Sequence, residues 1–93
     1  MRMADRISRK LTGALAPARL AVKDNSEQHR GHAGWRAGGE THFQVEIVSA
    51  RFAGLTRVAR QRLVYGALAE ELAGGVHALE VKTLTPEEDE GKG

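Results

Sequence analysis

The residues of this chain whose chemistry could reach beyond its own fold are four histidines and a run of arginines. Three of the histidines, His29, His32 and His42, fall in "HRGHAGWRAGGETHF", residues 29–43, together with four glycines. The fourth, His77, directly follows Gly74, Gly75 and Val76. Imidazole titrates near neutrality and ligates metals when neutral. His32 stands between Gly31 and Ala33, where no local pattern requires an imidazole for packing, so it reads either as a ligand or as a solvated side chain. His29 and His32 form a lone HxxH, a weak metal spacing, and His29 is expected to face solvent. His42 opens an alternating stretch on the face opposite Phe43 and suits a hydrogen bond to a loop carbonyl. His77 opens a strand at a sheet end, equally suited to a satisfied edge residue and to a site. With no cysteine in the chain, disulfides, thiolate zinc sites and a cysteine nucleophile are excluded.

The second group is positive. "RFAGLTRVARQR" supplies Arg51, Arg57, Arg60 and Arg62 with no acid among them. Arginines at a helix start oppose the macrodipole, so something should compensate them. Nucleic-acid phosphates would do so. So would pairing with Glu40, Glu46 or Glu70 on a solvated helix face. Trp35, beside Arg36, offers a surface for a partner side chain or a stacked base. No glycine-rich phosphate loop, HExxH or GxSxG occurs, and Ser8, Ser26 and Ser49 have no evident base, so no catalytic function is expected.

These groups need a frame to hold them. Met3, Ile7, Leu11, Ala14 and Leu15 recur at helical spacing over residues 4–16, and Pro17 ends that helix. "RLAVKD" and "THFQVEIVS" alternate as strands, joined through the histidine–glycine stretch, which is too long for an ordinary hairpin loop. Thr56 suits an N-cap for a second helix reaching Leu72, with Gly74 and Gly75 beyond its end. Projection at 100° per residue puts Val58, Gln61, Tyr65, Leu68 and Leu72 on its buried stripe, flanked by Val64 and Ala69. "HALEVKTL" is a third strand. A helical crossover before it implies a parallel pairing, giving an α+β domain of order αββαβ with a three-stranded mixed sheet and helices on one face.

Ninety-three residues with 41% hydrophobic content make one domain. We place it at residues 1–86, with 87–93 as a disordered acidic tail because "PEEDEGKG" lacks apolar residues. The net charge of +2 is uneven: residues 1–36 carry eight Lys/Arg against three acids, and residues 73–93 two against five. No apolar run has the length of a membrane span, and "MRMADRISRKL" reads as a structural helix rather than a transit peptide. A cytoplasmic monomer that makes no membrane contact is expected.

Taken together, "GGETHFQVEIVSARFAGL", "ARQRLVYGALAEEL" and "GVHALEVKTLTPEE" closely resemble the BolA family over nearly the whole chain. The resemblance implies a fold similar to a type II KH module. It also implies a non-enzymatic partner of monothiol glutaredoxins, with or without a bridging [2Fe-2S] cluster, or a transcriptional regulator that binds DNA. The family's C-terminal histidine corresponds to His77 and its variable loop ligand to His32, so both are expected as cluster ligands. The thiolates would come from the glutaredoxin and its bound glutathione, and an imidazole-ligated iron is a known cluster pattern. Where the family usually has Arg-His-Arg before Val-Tyr, this chain has Gln61, which can hydrogen-bond but cannot ligate or titrate as imidazole does. "GHAG" at 31–34 lies between strands rather than between helices, so it does not count as the GxxG backbone clamp of a KH module.

Overall fold

The computed structural model describes residues 2–24, 42–76 and 78–91. Helix α1 spans Met3–Leu15, and Ile7, Leu11 and Leu15 along one side are buried. It ends at Ala16, which takes the left-handed conformation (φ 43°) and donates its N–H to Thr12 O; Pro17 follows. Strand β1 is Arg19–Asp24, β2 is His42–Val48 and β3 is Ala78–Leu84. The sheet order is β1-β2-β3, with β1 antiparallel and β3 parallel to the central strand. The mixed three-stranded sheet inferred from the crossover is therefore present.

Register fixes which side chains share a face. Leu20, Ile47 and Thr83 stand in one row, and Val22, Val45 and Val81 in the next. These alternate residues turn toward Ile7, Leu11, Phe52, Val64 and Leu68, which close one core over a single face of the sheet. Ala21, Glu46 and Lys82, and beside them Lys23, Gln44 and Glu80, make up the opposite, charged face.

The second helix departs from the single helix expected. It is divided into α2, Arg57–Ala67, and α3, Ala69–Ala73, at Leu68, whose N–H is shared among the carbonyls of Val64, Tyr65 and Gly66. Thr56 does cap α2, its Oγ1 accepting from Ala59 N–H at 3.1 Å. The buried stripe is shifted from the projected one. Val64, Leu68 and Glu71 are buried, Gln61 and Leu72 are half-buried, and Ala69 is exposed. Val58 and Tyr65 keep 55% and 37% of their surface exposed. The physical reason is that the inner face runs through two charged residues, Arg60 and Glu71, each neutralised by a distant partner. A projection that scores only apolar side chains rotates away from them.

The acidic C-terminal segment is also different from the tail expected. Pro86–Gly91 form a short helix, α4. Thr85 and Glu88 cap it reciprocally, Thr85 N–H donating to Glu88 Oε1 (2.8 Å) and Glu88 N–H to Thr85 Oγ1 (3.1 Å). Proline at the first helical position completes the start signal.

Candidate functional site

The topology puts the described residues that flank the candidate histidines, and the candidate arginines, at opposite ends of the sheet. Because β3 runs parallel to β2, both begin at the end where β1 stops. His42 stands beside Ala78 there, and Asp24 pairs with Phe43. Asp24 and His42, which flank residues 25–41, and Ala78, which follows position 77, therefore all stand at this end. His29, His32, Trp35 and His77 themselves lie outside the described residues. His42 is half-buried on the strand face opposite the core.

The turn leading to position 77 is anchored by a charge cluster that sequence reasoning missed. The Glu71 side chain is 1% exposed, and its Oε2 accepts from Arg6 (2.9 Å) and Lys10 (3.0 Å) of α1. Burial pushes the Glu71 carboxyl up, but the Lys10 hydrogen bond, a backbone N–H and the charges of Lys10 and Arg6 outweigh it, so the carboxyl titrates below its ordinary range. The same cluster raises Lys10, through its hydrogen bonds to Glu71 and then Glu70. Glu71's backbone carbonyl accepts from Gly74 N–H and Val76 N–H, both at 3.2 Å. A carboxylate held by α1 therefore fixes the carbonyl on which the α3–β3 turn closes.

At the opposite end, where β2 and β3 finish, stand Arg51, Arg57 and Arg60. Arg51 lies in the 3-10 turn Ala50–Phe52, which Ser49 starts by accepting from Arg51 N–H. Ser49 is fully buried and also donates its hydroxyl to Leu15 O (2.6 Å), tying the end of α1 to the end of β2. Arg57 lines a groove of about 600 Å³ with Thr83 and Leu84. Arg60 is held on three sides. Its Nε donates to Leu55 O (3.1 Å), its guanidinium lies 6.0 Å from the Phe52 ring centroid, and Nη1 and Nη2 reach Glu88. Arg62 is exposed in the second turn of α2. Arg51, Arg57 and Arg62 have no ion pair among the described residues. Of the three acids expected as partners, Glu46 and Glu70 pair instead with Arg19 and Lys10; Glu40 lies outside the described residues.

Arg19, not singled out in the sequence, completes this end. It bridges Glu46 on β2 and Asp89 on α4, and these hydrogen bonds, Asp89's first, strengthen its hold on the proton. Arg60 correspondingly lowers the Glu88 carboxyl, with Thr85 N–H adding to the effect. The signal that could have revealed α4 and its acids was "TPEE", a capping-box pattern with proline at the first helical position.

Among the described residues no three His, Asp or Glu side chains converge as a metal site, and no helix is long and apolar enough to cross a membrane. The chain has four imidazoles and no thiolate, so at a cluster site its nitrogen donors would need sulfur ligands from elsewhere.

Comparison with known proteins bears on the fold and the family. The chloroplastic protein BOLA1 of Arabidopsis thaliana is 48% identical over 91 residues, covering 96% of this chain, which spans only 57% of that protein's length. A SufE-like protein of the same plant, assigned to chloroplast and mitochondrion, is 47% identical over 89% of this chain, here matching 24% of the longer protein. The solved structure of BolA1 from Arabidopsis thaliana superposes with a TM-score of 0.83 at 43% identity, over 95% of this chain and 96% of that one. The family model described as BolA-like protein matches residues 11–88, a stretch running from the middle of α1 into α4, and the chain therefore belongs to the BolA-like family.

Proposed function

We propose that this BolA-like domain is a non-enzymatic adaptor that binds a monothiol glutaredoxin and shares a [2Fe-2S] cluster with it through His32 and His77, in iron or redox regulation. The observation that supports this reading best is convergence. The two ends of the 25–41 connection, the start of β2 and the turn leading to position 77 come to one sheet end, although they are far apart in sequence. A cluster bound there would supply an electron-accepting iron centre. The chain's own part is to offer imidazoles in place of thiolates on one iron, with the glutaredoxin and its glutathione providing the sulfur. Trp35 belongs to the proposed contact with the partner, and a cytoplasmic location to the same reading, although named relatives are chloroplastic.

The test is to titrate this protein into cluster-loaded monothiol glutaredoxin and record visible circular dichroism. A new spectrum that saturates at equimolar ratio and is missing for His77→Ala, but retained by His29→Ala, is the expected result. Equal spectra for wild type and His77→Ala would remove the ligand assignment. Binding without iron that is weakened by Trp35→Ala would instead indicate docking alone.

A second reading, a DNA-binding regulator, is favoured by one specific observation: Arg51, Arg57 and Arg62 carry no ion pair among the described residues. It expects duplex binding that weakens, with a shallower salt dependence, when Arg57 and Arg62 are replaced by Ala. Unchanged binding in that variant would count against it.

A further inference from the structure

The acids of α4 engage guanidiniums that are already fixed by other partners. Arg60 is anchored through Nε to Leu55 O, and its side chain is only 13% exposed; its two terminal nitrogens are left for Glu88, at 2.7 and 3.4 Å. Arg19 is anchored through Nη1 to Glu46, and its Nε and Nη2 are left for Asp89, at 3.4 and 2.6 Å. In both cases one edge of the guanidinium has a partner independent of α4, and the other edge presents two N–H donors to a carboxylate. Two parallel donors on a fixed guanidinium fit a phosphate as well as they fit a carboxylate. Arg57, beside Leu84, adds a third cation without an ion pair among the described residues.

The attachment of α4 is mostly polar. None of its residues is buried, and its acids reach Arg60, Arg19 and the capping Thr85. The carboxylates of these pairs keep 45% and 28% of their side-chain surface exposed, so the pairs weaken with salt. A polyanion that offers acceptors to the same guanidiniums therefore competes with α4.

We propose that α4 is a built-in competitor for nucleic-acid phosphates: docked, it occupies Arg19 and Arg60, and lifted, it exposes them with Arg57 as a surface for the backbone of duplex DNA. This rests on the DNA-binding reading and extends it to Arg19 and to a segment of opposite charge. Duplex rather than single-stranded nucleic acid is indicated by the aromatics. Phe43 and Phe52 are buried, and Tyr65 donates its hydroxyl to Leu79 O (3.3 Å) near the start of β3, so among the described residues no aromatic face is offered for base stacking beside these arginines. Phosphate contact is what remains.

The test uses the full chain carrying Glu88→Gln and Asp89→Asn together. Gln keeps the acceptor needed at the third position of the capping box, so the start of α4 is preserved while both charges are removed. Anisotropy of a labelled duplex of arbitrary sequence, measured across a salt series, should show binding about tenfold tighter than wild type, with the log–log salt slope steeper by about two, the worth of two phosphate contacts. Adding Arg60→Gln to that variant should remove about half of the gain. If wild type binds and loses affinity with Arg57→Ala, yet the double variant binds no more tightly, the competition is refuted and the DNA-binding reading stands. If neither protein binds the duplex at low salt, that reading fails and the competition with it.

Discussion

At the end of the sheet where β2 and β3 begin, the chain gathers backbone from three separate stretches of sequence and anchors the last of them with a buried carboxylate. At the opposite end it gathers guanidiniums from β1, the 3-10 turn and α2, two of them already engaged by acids of α4. The first end is organised by strand placement and one buried carboxylate held by α1, the second by a set of guanidiniums near the surface. Ligation needs a small number of donors at fixed positions, whereas phosphate binding needs many cations and tolerates looser geometry. The same domain carries both arrangements because the parallel crossover sends α2 back along the sheet, so that its positive start and the turn after α3 come out at opposite ends.

That contrast can be broken most decisively by a double dissociation. His77→Ala should abolish the visible circular dichroism signal of the mixed complex and leave duplex binding unchanged; a loss of both would mean that the two ends are not independent. A smaller but still large effect is expected from Phe52→Ala. This fully buried ring lies beneath Arg60, and its removal should cost about 3–5 kcal/mol in denaturant unfolding. The surviving folded population should lose duplex affinity before it loses the cluster signal.

Acid should also act on the other end. Because the folded Glu71 carboxyl titrates below its ordinary value, its stabilisation is present above about pH 4.3 and is lost as pH falls through the lower folded value. Thermal unfolding from pH 6 to pH 2 should therefore show a stability loss below about pH 4 that Glu71→Gln reduces, with the Gln variant less stable at neutral pH. The smallest effect belongs to Thr56→Ala, which removes the α2 cap and should cost about 1 kcal/mol. A strictly local change in amide exchange at the start of α2 would show that this end frays without disturbing the turn before position 77.

Much of this frame was legible in the sequence because local patterns carried it. Alternation in "RLAVKD" and "THFQVEIVS" marked strands that face one core, Pro17 marked the end of α1, and Thr56 marked the start of α2. What was not legible depended on pairs far apart in the chain. The inner face of α2 and α3 includes Arg60 and Glu71, acceptable there only because Glu88 lies 28 residues from the one and Arg6 lies 65 from the other. The acidic segment read as a tail because composition outweighed its capping signal, and the ion pairs that seat it join residues up to 70 apart. Among the site residues, the arginines could be placed on their helix and turn from spacing alone. Arg19 looked like an ordinary outward strand position until its two carboxylate partners were known.

The central strand has a consequence of distance. Seven residues of β2 separate the two ends, about 20 Å of extended chain at ~3.3 Å per residue. In physiological salt the electric field of an exposed charge decays over about 8 Å. Charge brought by a partner at His42 is therefore largely hidden, through solvent, from an anion at Val48, and two large ligands could ride on one small protein without sensing each other electrostatically. Any communication between them would have to be mechanical, carried by the strand and the side chains packed on it.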